Sequence, residues 1–505
     1  METLNKIFKA ASVKMLDEYT IEYEPVSSLD LMGRAAMVWT RKFLDVFRIP
    51  AEVAVVAGNG NNGGDGYCIA CLLAEHDWNV TVFRLMPDST QSVDCKVNYQ
   101  RWLDMGGQIV DVRQADDFVP GKQAVIVDAI LGSGINRKVE GVMGEVIRLI
   151  NCLANQVVAV DIPSGLMGED NTLNDRENII KADYTFTFQF PKLAFLLPEN
   201  AEYVGEWHVV DIHLDVRAIV NTETCWYYTD KEEVKKLLPV PLKFAHKGLN
   251  GCGLLVAGRR GMMGAAVLAA KAALRSGIGL LYCHVPKQEG GILQMSVPEA
   301  ILDFDSSEEG FSFISGCGRF DAVAVGPGLG QSPETCAGLR RLLKEWRGVT
   351  VLDADALNLM SEHPEMLDLL HEKCILTPHP KEFERLAGKS ENDFDRLKKL
   401  SIFACQYHTY VVLKGAYSAI ATPQGKLFFN MSGNPGMAKG GAGDVLTGVL
   451  LALAACGMEV FDVVRCGVFA HGLAGDILAR QYGYRGISAG MLAEAMSEAW
   501  KELEN

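Results

Sequence analysis

The chain has 505 residues, of which 49% are hydrophobic and 22% charged, and a net charge of −15. That length implies several domains of roughly 100–200 residues with enough apolar content for large cores, which excludes a disordered chain. Asp+Glu (63) exceeds Lys+Arg (48), which excludes a sequence-independent nucleic-acid binder, because such a protein needs a basic face.

Residues 1–10 carry no apolar run long enough for a signal peptide. Residues 445–458 are the uncharged stretch to test as a membrane span, and their 14 residues fall short of the roughly 20 that a spanning helix needs. A buried helix is expected there, with no membrane partner. The 13 cysteines are scattered. Cys68-Ile-Ala-Cys71 is one Cys-x-x-Cys, but without a second pair it reads as helix packing rather than metal or redox work. Reduced thiols imply the cytoplasm.

In chain order, residues 1–48 read as two or more helices broken at Pro25. From about 50 to 212, strands are expected at 52–57, 79–85, 124–131, 156–162 and 184–190. Helices are expected at 65–76, 93–105 and 144–154. This alternation predicts a parallel sheet covered on both faces. A second strand and glycine turn begin at 251–258, followed by strands at 321–325, 349–352, 374–376 and 410–413. A strand pair at 418–421 and 426–430 leads to a mainly helical tail from 442. Residues 214–250 lose the alternation and contain Pro239 and Pro241, so the boundary is set near 215–230, with domains of 1–222 and 223–505. The halves share no repeated motif, which implies fusion rather than duplication.

In the first half, Gly58-Asn-Gly-Asn-Asn-Gly-Gly-Asp-Gly66 follows a strand and opens a helix. Its five glycines allow close backbone approach to a ligand, and the helix start offers free N–H groups to an anion. Residues 58–63 match the G-x-G-x-x-G pattern. However, the next strand ends in Phe83-Arg-Leu-Met-Pro87, without the acidic residue an ordinary NAD fold wants. The alternative is a tight turn capped by Asp65, which would not require so many asparagines. Asp128 and Asp161, the latter with Ser164, stand at the ends of two further strands of the same sheet. Either aspartate taken singly is equally explained as a cap. Ligands of open α/β sheets bind at the strands' carboxyl ends, so the three loops are expected to converge.

GNGNNGGDG, VDAILGSG and VDIPSG together resemble the NAD(P)HX epimerase family, the YjeF N-terminal domain, over most of residues 1–215. The resemblance implies a substrate that is a nicotinamide dinucleotide hydrated at C6, held by Asn61, Asn62, Gly63, Gly64, Asp65, Gly132, Ser133, Gly134, Ile135, Asn136, Arg137, Lys138 and Asp161. It implies a potassium ion on Asn62, Asp128 and Ser164, oxygen ligands that suit a hard cation. Inverting C6 needs a group that trades protons with its hydroxyl, and Asp161 is the candidate general acid/base.

In the second half, Lys439-Gly-Gly-Ala-Gly-Asp444 precedes the long apolar helix. N–H groups of residues 441–443 suit a developing phosphate charge, and Asp444 stands where it could take a proton from an attacking hydroxyl; the alternative is simple N-capping. Residues 258–265 and Gly326-Pro-Gly-Leu-Gly330 are flexible turns. Thr377-Pro-His-Pro-Lys-Glu382 sets His379 at a strand end, and Lys414-Gly-Ala-Tyr-Ser418 offers backbone donors. Asp353 and Asp355 could assist a metal or cap the next helix.

GPGLG, DADALN, TPHPKEFERL, VVLKGA and NPGMAKGGAGDVLTG resemble a ribokinase-like domain, and more narrowly the ADP/ATP-dependent NAD(P)HX dehydratase, the YjeF C-terminal domain, over most of residues 225–500. His379 stands where many ribokinase-like kinases have the asparagine of Asn-x-x-Glu, which favours the dehydratase. The resemblance implies that Ala265, Gly328 or Gly330, His379 and Asp444 touch the hydrated dinucleotide. Lys414, Gly415, Ala416, Tyr417, Ser418 and Gly443 would touch the nucleotide, ADP or ATP with magnesium.

The expected fold is therefore α/β, an N-terminal Rossmann-like three-layer domain followed by a C-terminal ribokinase-like domain. The expected function is an enzyme that epimerises NADHX and NADPHX and dehydrates the S form, assembled as a homo-oligomer. The alternatives are a ribokinase-like small-molecule kinase fused to a nucleotide-binding domain, and a nucleotide sensor without turnover. A sensor would have no need of Asp161 and Asp444.

Overall fold

The computed structural model describes residues 5–240, 242–314 and 316–505; Pro241, half of the expected boundary signal, lies outside them, as do residues 1–4. The chain forms two compact units, one of Lys6–Thr224 with Asn392–Phe394, the other spanning Cys225–Glu391 and Asp395–Asn505.

In the first unit, seven strands lie in the order Gln108–Val112, Asn79–Leu85, Glu52–Ala57, Val125–Ala129, Val157–Val160, Tyr184–Phe188, Glu206–Val210. All pairings are parallel. The central strands are apolar runs because both faces are covered. Val53, Val55 and Ala57 join Trp39, Phe43 and Ile69 in one core, while Ala54 and Val56 join Ile147 and Ile150 in the other. Strand order reverses between Glu52–Ala57 and Val125–Ala129, and such a switch point is where open sheets of this kind leave a crevice.

In the second unit the sheet runs Trp226–Thr229, Leu427–Asn430, Ala419–Ala421, Tyr410–Leu413, Cys374–Leu376, Val349–Leu352, Ala322–Val325, Cys252–Val256, Leu280–Pro286, Ile301–Asp305. From Tyr410–Leu413 to Ile301–Asp305 it is parallel, and the hairpin of Ala419–Ala421 and Leu427–Asn430 is antiparallel. The uncharged stretch near 445 forms the helix Ala442–Ala455, buried from Val445 to Ala455. Among the described residues no helix is long and apolar enough to cross a membrane. That helix packs against Met263–Arg275 so closely that a Cβ on Gly448 would lie 2.0 Å from the Ala269 carbonyl oxygen. The contact sets the helix start, where Asp444 sits, beside the first turn of Met263–Arg275, which carries Ala265.

Six strands run where none is expected from the sequence: Asn5–Ile7, Gln108–Val112, Glu206–Val210, Trp226–Thr229, Leu280–Pro286 and Ile301–Asp305. Three of them edge their parallel sheets and carry polar residues such as Gln108, Asp111, Glu206, His208 and Asp303, so they lack the continuous apolar run of a central strand. The region 214–250 is likewise not featureless, since it holds the helix Val216–Asn221, the strand Trp226–Thr229 and the helix Lys231–Leu237. Cys68 and Cys71 are half-buried on the helix Asn61–Glu75, and burial pushes their thiols up to about 12 and about 11.

Gly448→Ala is expected to destabilise the second unit by about 1–3 kcal/mol, since the neighbouring helix must give way. Calorimetry should show the fall in one transition; an unchanged thermogram would mean that the helices are not in close contact.

Candidate active sites

In the first unit the glycine–asparagine loop runs from the end of Glu52–Ala57 into the helix Asn61–Glu75, whose N-cap is Gly60 with no side-chain cap. Asp65 is therefore inside the helix and does not cap a turn. Most of the glycines also do something other than admit a ligand. A Cβ on Gly58 would meet the Ile130 oxygen at 2.0 Å, one on Gly63 the Gly58 oxygen at 2.0 Å, and one on Gly66 the Ala129 Cβ at 2.6 Å. They let the helix start press onto the neighbouring strand end; only Gly60 faces open space.

That packing gathers the expected cation ligands. Ser164 donates from N to Asp128 Oδ2 (2.7 Å) and from Oγ to Asp128 Oδ1 (2.5 Å), and Leu131 N donates to Ser164 Oγ (2.9 Å). Asn62 is buried against Gly132, and its amide nitrogen has no hydrogen-bond partner, so the amide can turn its oxygen to a ligand. The donors of this cluster are all oxygens, which fits a hard monovalent cation. Burial pushes the Asp128 carboxyl up to about 6, against the Ser164 and Ile130 hydrogen bonds that lower it.

Asp161 follows the strand Val157–Val160 with φ +67, a left-handed conformation that is uncommon for a residue with a side chain. Its Oδ1 accepts from Lys192 Nζ (2.7 Å), Phe188 N (3.1 Å) and Thr187 Oγ1 (3.2 Å), and Ser133 also bonds its side chain. Burial pushes this carboxyl up, but the Lys192 ammonium and the hydrogen bonds outweigh burial and hold it below the usual range. It is therefore ionised. Asp65, buried and facing Asp161, is pushed well above the usual carboxylate range by burial first and then by that charge. Asp17, from the helix Ala10–Tyr23, is pushed up to about 7 by burial and then by Asp161. Of the other expected residues, Gly132 and Ser133 reach this cluster, Ile135 is half-buried, and Asn61, Gly134, Asn136, Arg137 and Lys138 are exposed.

In the second unit, Gly441 (φ +91) is the N-cap of Ala442–Ala455 and Asp444 lies in the first turn with no side-chain cap bond. Simple N-capping therefore does not explain Asp444. Its carboxyl is pushed up to about 6, by burial first, then by Asp353 and Asp355 against the pull of Lys414. Gly328 (φ +62) comes so close to the 262–265 turn that a Cβ there would meet the Ala265 Cβ at 3.2 Å. Gly330 N donates to Asp355 Oδ2 (2.8 Å). His379 caps the helix Pro380–Ala387, its Nδ1 accepting from Lys381 N and Glu382 N, with Nε2 3.4 Å from Glu382 Oε1.

Residues 414–418 form a turn in which Gly415 N donates to Ser418 Oγ (3.2 Å); Gly415 and Ala416 are exposed, Tyr417 and Ser418 half-buried. Lys414 lies beside Gly443, where a Cβ would be 3.2 Å from its Nζ. Neither Asp353 nor Asp355 caps the next helix, whose N-cap is Ala354 without a side-chain bond. Asp353 accepts from Lys414 and Thr447, and Asp355 from Gly330 and Gln331.

Lys192 and Asp17 are absent from the residues expected on sequence grounds, and the pairing of Asp353 with Lys414, each singled out for a different role, is not expected there either. Lys192 had one available signal: it follows Phe190-Pro191, past the end of a fourth strand of the same sheet. Asp17 had none, because it sits within a helix, Ala10–Tyr23, that carries no motif.

These features define an α/β enzyme whose polar groups collect at the carboxyl ends of the parallel strands in two sheets. Residues 28–194 match the family described as YjeF-related protein N-terminus, and residues 253–498 match NAD(P)H-hydrate dehydratase. The chain is 35% identical over 517 residues to the bifunctional NAD(P)H-hydrate repair enzyme Nnr of Thermofilum pendens, covering 99% of this chain and 97% of that one. It is 33% identical to the enzyme of the same name from Moorella thermoacetica (98% and 96% covered) and 34% to that of Escherichia coli (86% and 82%). A Bacillus subtilis ADP/ATP-dependent NAD(P)H-hydrate dehydratase, co-crystallised with ATP/Mg2+, is 30% identical with a TM-score of 0.47, over 55% of this chain and 98% of that one. The chain belongs to the family of bifunctional NAD(P)H-hydrate repair enzymes.

Lys192→Met would leave Asp161 buried without its cation, both side chains being nearly inaccessible (5% and 11% exposed). The first unit is expected to lose about 3–5 kcal/mol of stability, and the Asp161 carboxyl to rise. Denaturant unfolding and carboxylate NMR titration check both; an unmoved titration would show that Lys192 does not set the charge of Asp161.

Proposed function

We propose that residues 1–222 epimerise the R and S hydrates of NADH and NADPH, and that residues 223–505 dehydrate the S form at the expense of ADP or ATP. What carries this reading is one aspartate per unit set among motif loops at strand carboxyl ends: Asp161, ionised beside Lys192 and Ser133, and Asp444, half-buried at a helix start. In the first unit the Asp161 carboxylate takes the C6 hydroxyl proton as the C6–N bond opens, and the ring nitrogen keeps the electron pair. Closure on the other face of the carbonyl returns the proton and inverts C6. The loops of residues 61–65 and 132–138 bind the dinucleotide. Asn62, Asp128 and Ser164 would hold a potassium ion, whose charge would help to keep Asp128 ionised.

In the second unit Asp444 accepts the C6 hydroxyl proton as the oxygen attacks the terminal phosphorus of the nucleotide, releasing AMP from ADP or ADP from ATP. The C6–O bond then breaks with help from the ring nitrogen lone pair, and inorganic phosphate leaves with the bonding electrons. Loss of a C5 proton completes the dihydropyridine. The N–H groups of Gly441 to Gly443 face the transferring phosphate, with Ala265, Gly328 or Gly330 and His379 on the dinucleotide and residues 414–418 on the nucleotide. Both Asp353 and Asp355 are already engaged, so magnesium would come held by the nucleotide phosphates and supply charge neutralisation there. The free cysteines support a reducing, cytoplasmic setting.

Chemically hydrated NADH with ADP or ATP should regain dihydronicotinamide absorbance on addition of the protein. Asp444→Asn is expected to abolish that regain while R/S interconversion, followed by chromatography, continues. Near-wild-type dehydration by this variant would remove Asp444 as the base.

Asp161→Ala is expected to consume the S half of a mixed hydrate and then stall, apart from slow spontaneous epimerisation. A general acid/base contributes about 10²–10⁴-fold, so the stall should be plain in a progress curve. Completion at the wild-type rate would leave Asp161 a structural turn residue.

A further inference from the structure

Asp353 is fully buried at the end of the strand Val349–Leu352, in the second unit's core, where an isolated carboxylate would be costly. Its Oδ1 accepts from Lys414 Nζ at 2.8 Å and its Oδ2 from Thr447 Oγ1 at 2.9 Å. Thr447 lies one turn into the Ala442–Ala455 helix, so Asp353 ties the strand, the helix and Lys414 together. Lys414 is held from its backbone as well, its N donating to Pro378 O at 2.9 Å. The lysine side chain remains 23% exposed, and its Nζ lies 3.2 Å from where a Cβ on Gly443 would be. An ammonium has three donors, and Asp353 takes one through a single oxygen. The cation thus lies under the phosphate-facing loop with donors to spare.

We propose that Asp353 is a positioning residue for dehydration: it anchors the Lys414 ammonium beneath Gly443, where that one fixed cation serves both the transferring phosphate and the Asp444 carboxylate. This rests on the reading of Asp444 as the base. It gives the Lys414 side chain a role of its own, apart from the backbone of residues 414–418 on the nucleotide.

The charged groups around Asp444 are Asp353, Asp355 and Lys414; beyond them stand His379 with Glu382 at the next strand end, and His471, whose Nε2 donates to Ala442 O at 2.9 Å. Burial keeps His471 neutral, pushing it down to about 4. Within this set Asp353 raises the Asp444 carboxyl and Lys414 lowers it. The two partners therefore act on the carboxyl with opposite signs, as their opposite charges require, and the Lys414 contact to the nucleotide is what a merely structural pair would lack.

The test is the pH profile of dehydration by the full chain, with hydrated NADH and ADP. Wild type should lose activity as pH falls through about 6, where Asp444 takes up a proton. Asp353→Asn should move that acidic limb down and Lys414→Met should move it up, each by roughly a pH unit. Lys414→Met should also raise the nucleotide KM by roughly ten- to a hundredfold, the loss of a charge-assisted contact. If a single variant fails to fold, the double variant, which leaves no unpaired buried charge, decides: a limb near the wild-type position with the raised KM supports the proposal. Limbs that move the same way or not at all, or an unchanged KM, overturn it. Asp444→Asn, run in parallel, separates the two readings: if it stays active the base assignment has failed, and if it is inactive any failure belongs to Asp353.

Discussion

A carboxylate buried at the end of a parallel strand stays ionised only if a cation or hydrogen bonds compensate for the lost water, and in each unit of this protein a lysine does so for one aspartate. In the first, Lys192 neutralises Asp161; in the second, Lys414 neutralises Asp353. Each lysine leaves the sheet at a strand end near that of its aspartate, since parallel strands place all their carboxyl ends on one edge. Without the ammonium, burial would protonate either carboxyl and remove the negative charge from the site. With it, the aspartate keeps its charge in a dry setting, where that charge acts strongly on its neighbours.

The two pairs serve different ends. Asp161 is itself the charged group at the first site, and its φ of +67 turns the carboxylate off the line of its strand. In the second unit the buried aspartate is one layer back, and the half-buried Asp444 stands in front of it with a carboxyl near 6. On the proposed reading, an ionised base and a base poised near neutrality suit the two chemistries: one would return its proton within the same turnover, the other would give it up before the next.

Glycine shows how one residue type can be read two ways. The loop of residues 58–66 reads as room for a ligand, yet Gly58, Gly63 and Gly66 are used to let protein approach protein. That close approach brings Asn62 against Gly132 and lets the Asp128–Ser164 cluster form at the sheet's switch point. The binding function proposed for the loop would thus come second-hand, through the packing that the glycines permit.

The central strands and the site loops were legible because their signals are local. An apolar run buried on both faces, a glycine turn after it and an aspartate at its end occupy a dozen residues, and Glu52–Ala57, Asn79–Leu85 and Val349–Leu352 match their expected bounds. The strands Gln108–Val112 and Glu206–Val210 escaped because an edge strand has one neighbour and keeps polar residues. The partners of the charged groups escaped for a different reason. Lys192 lies 31 residues from Asp161, and Lys414 lies 61 from Asp353. Which lysine meets which aspartate depends on the order of strands across the sheet, and that order is a property of the folded chain. The sequence by itself determined the two α/β halves, their family and the aspartates at strand ends. Only the tertiary structure decided which of those aspartates stay charged, because ionisation inside a protein depends on what the fold buries beside them.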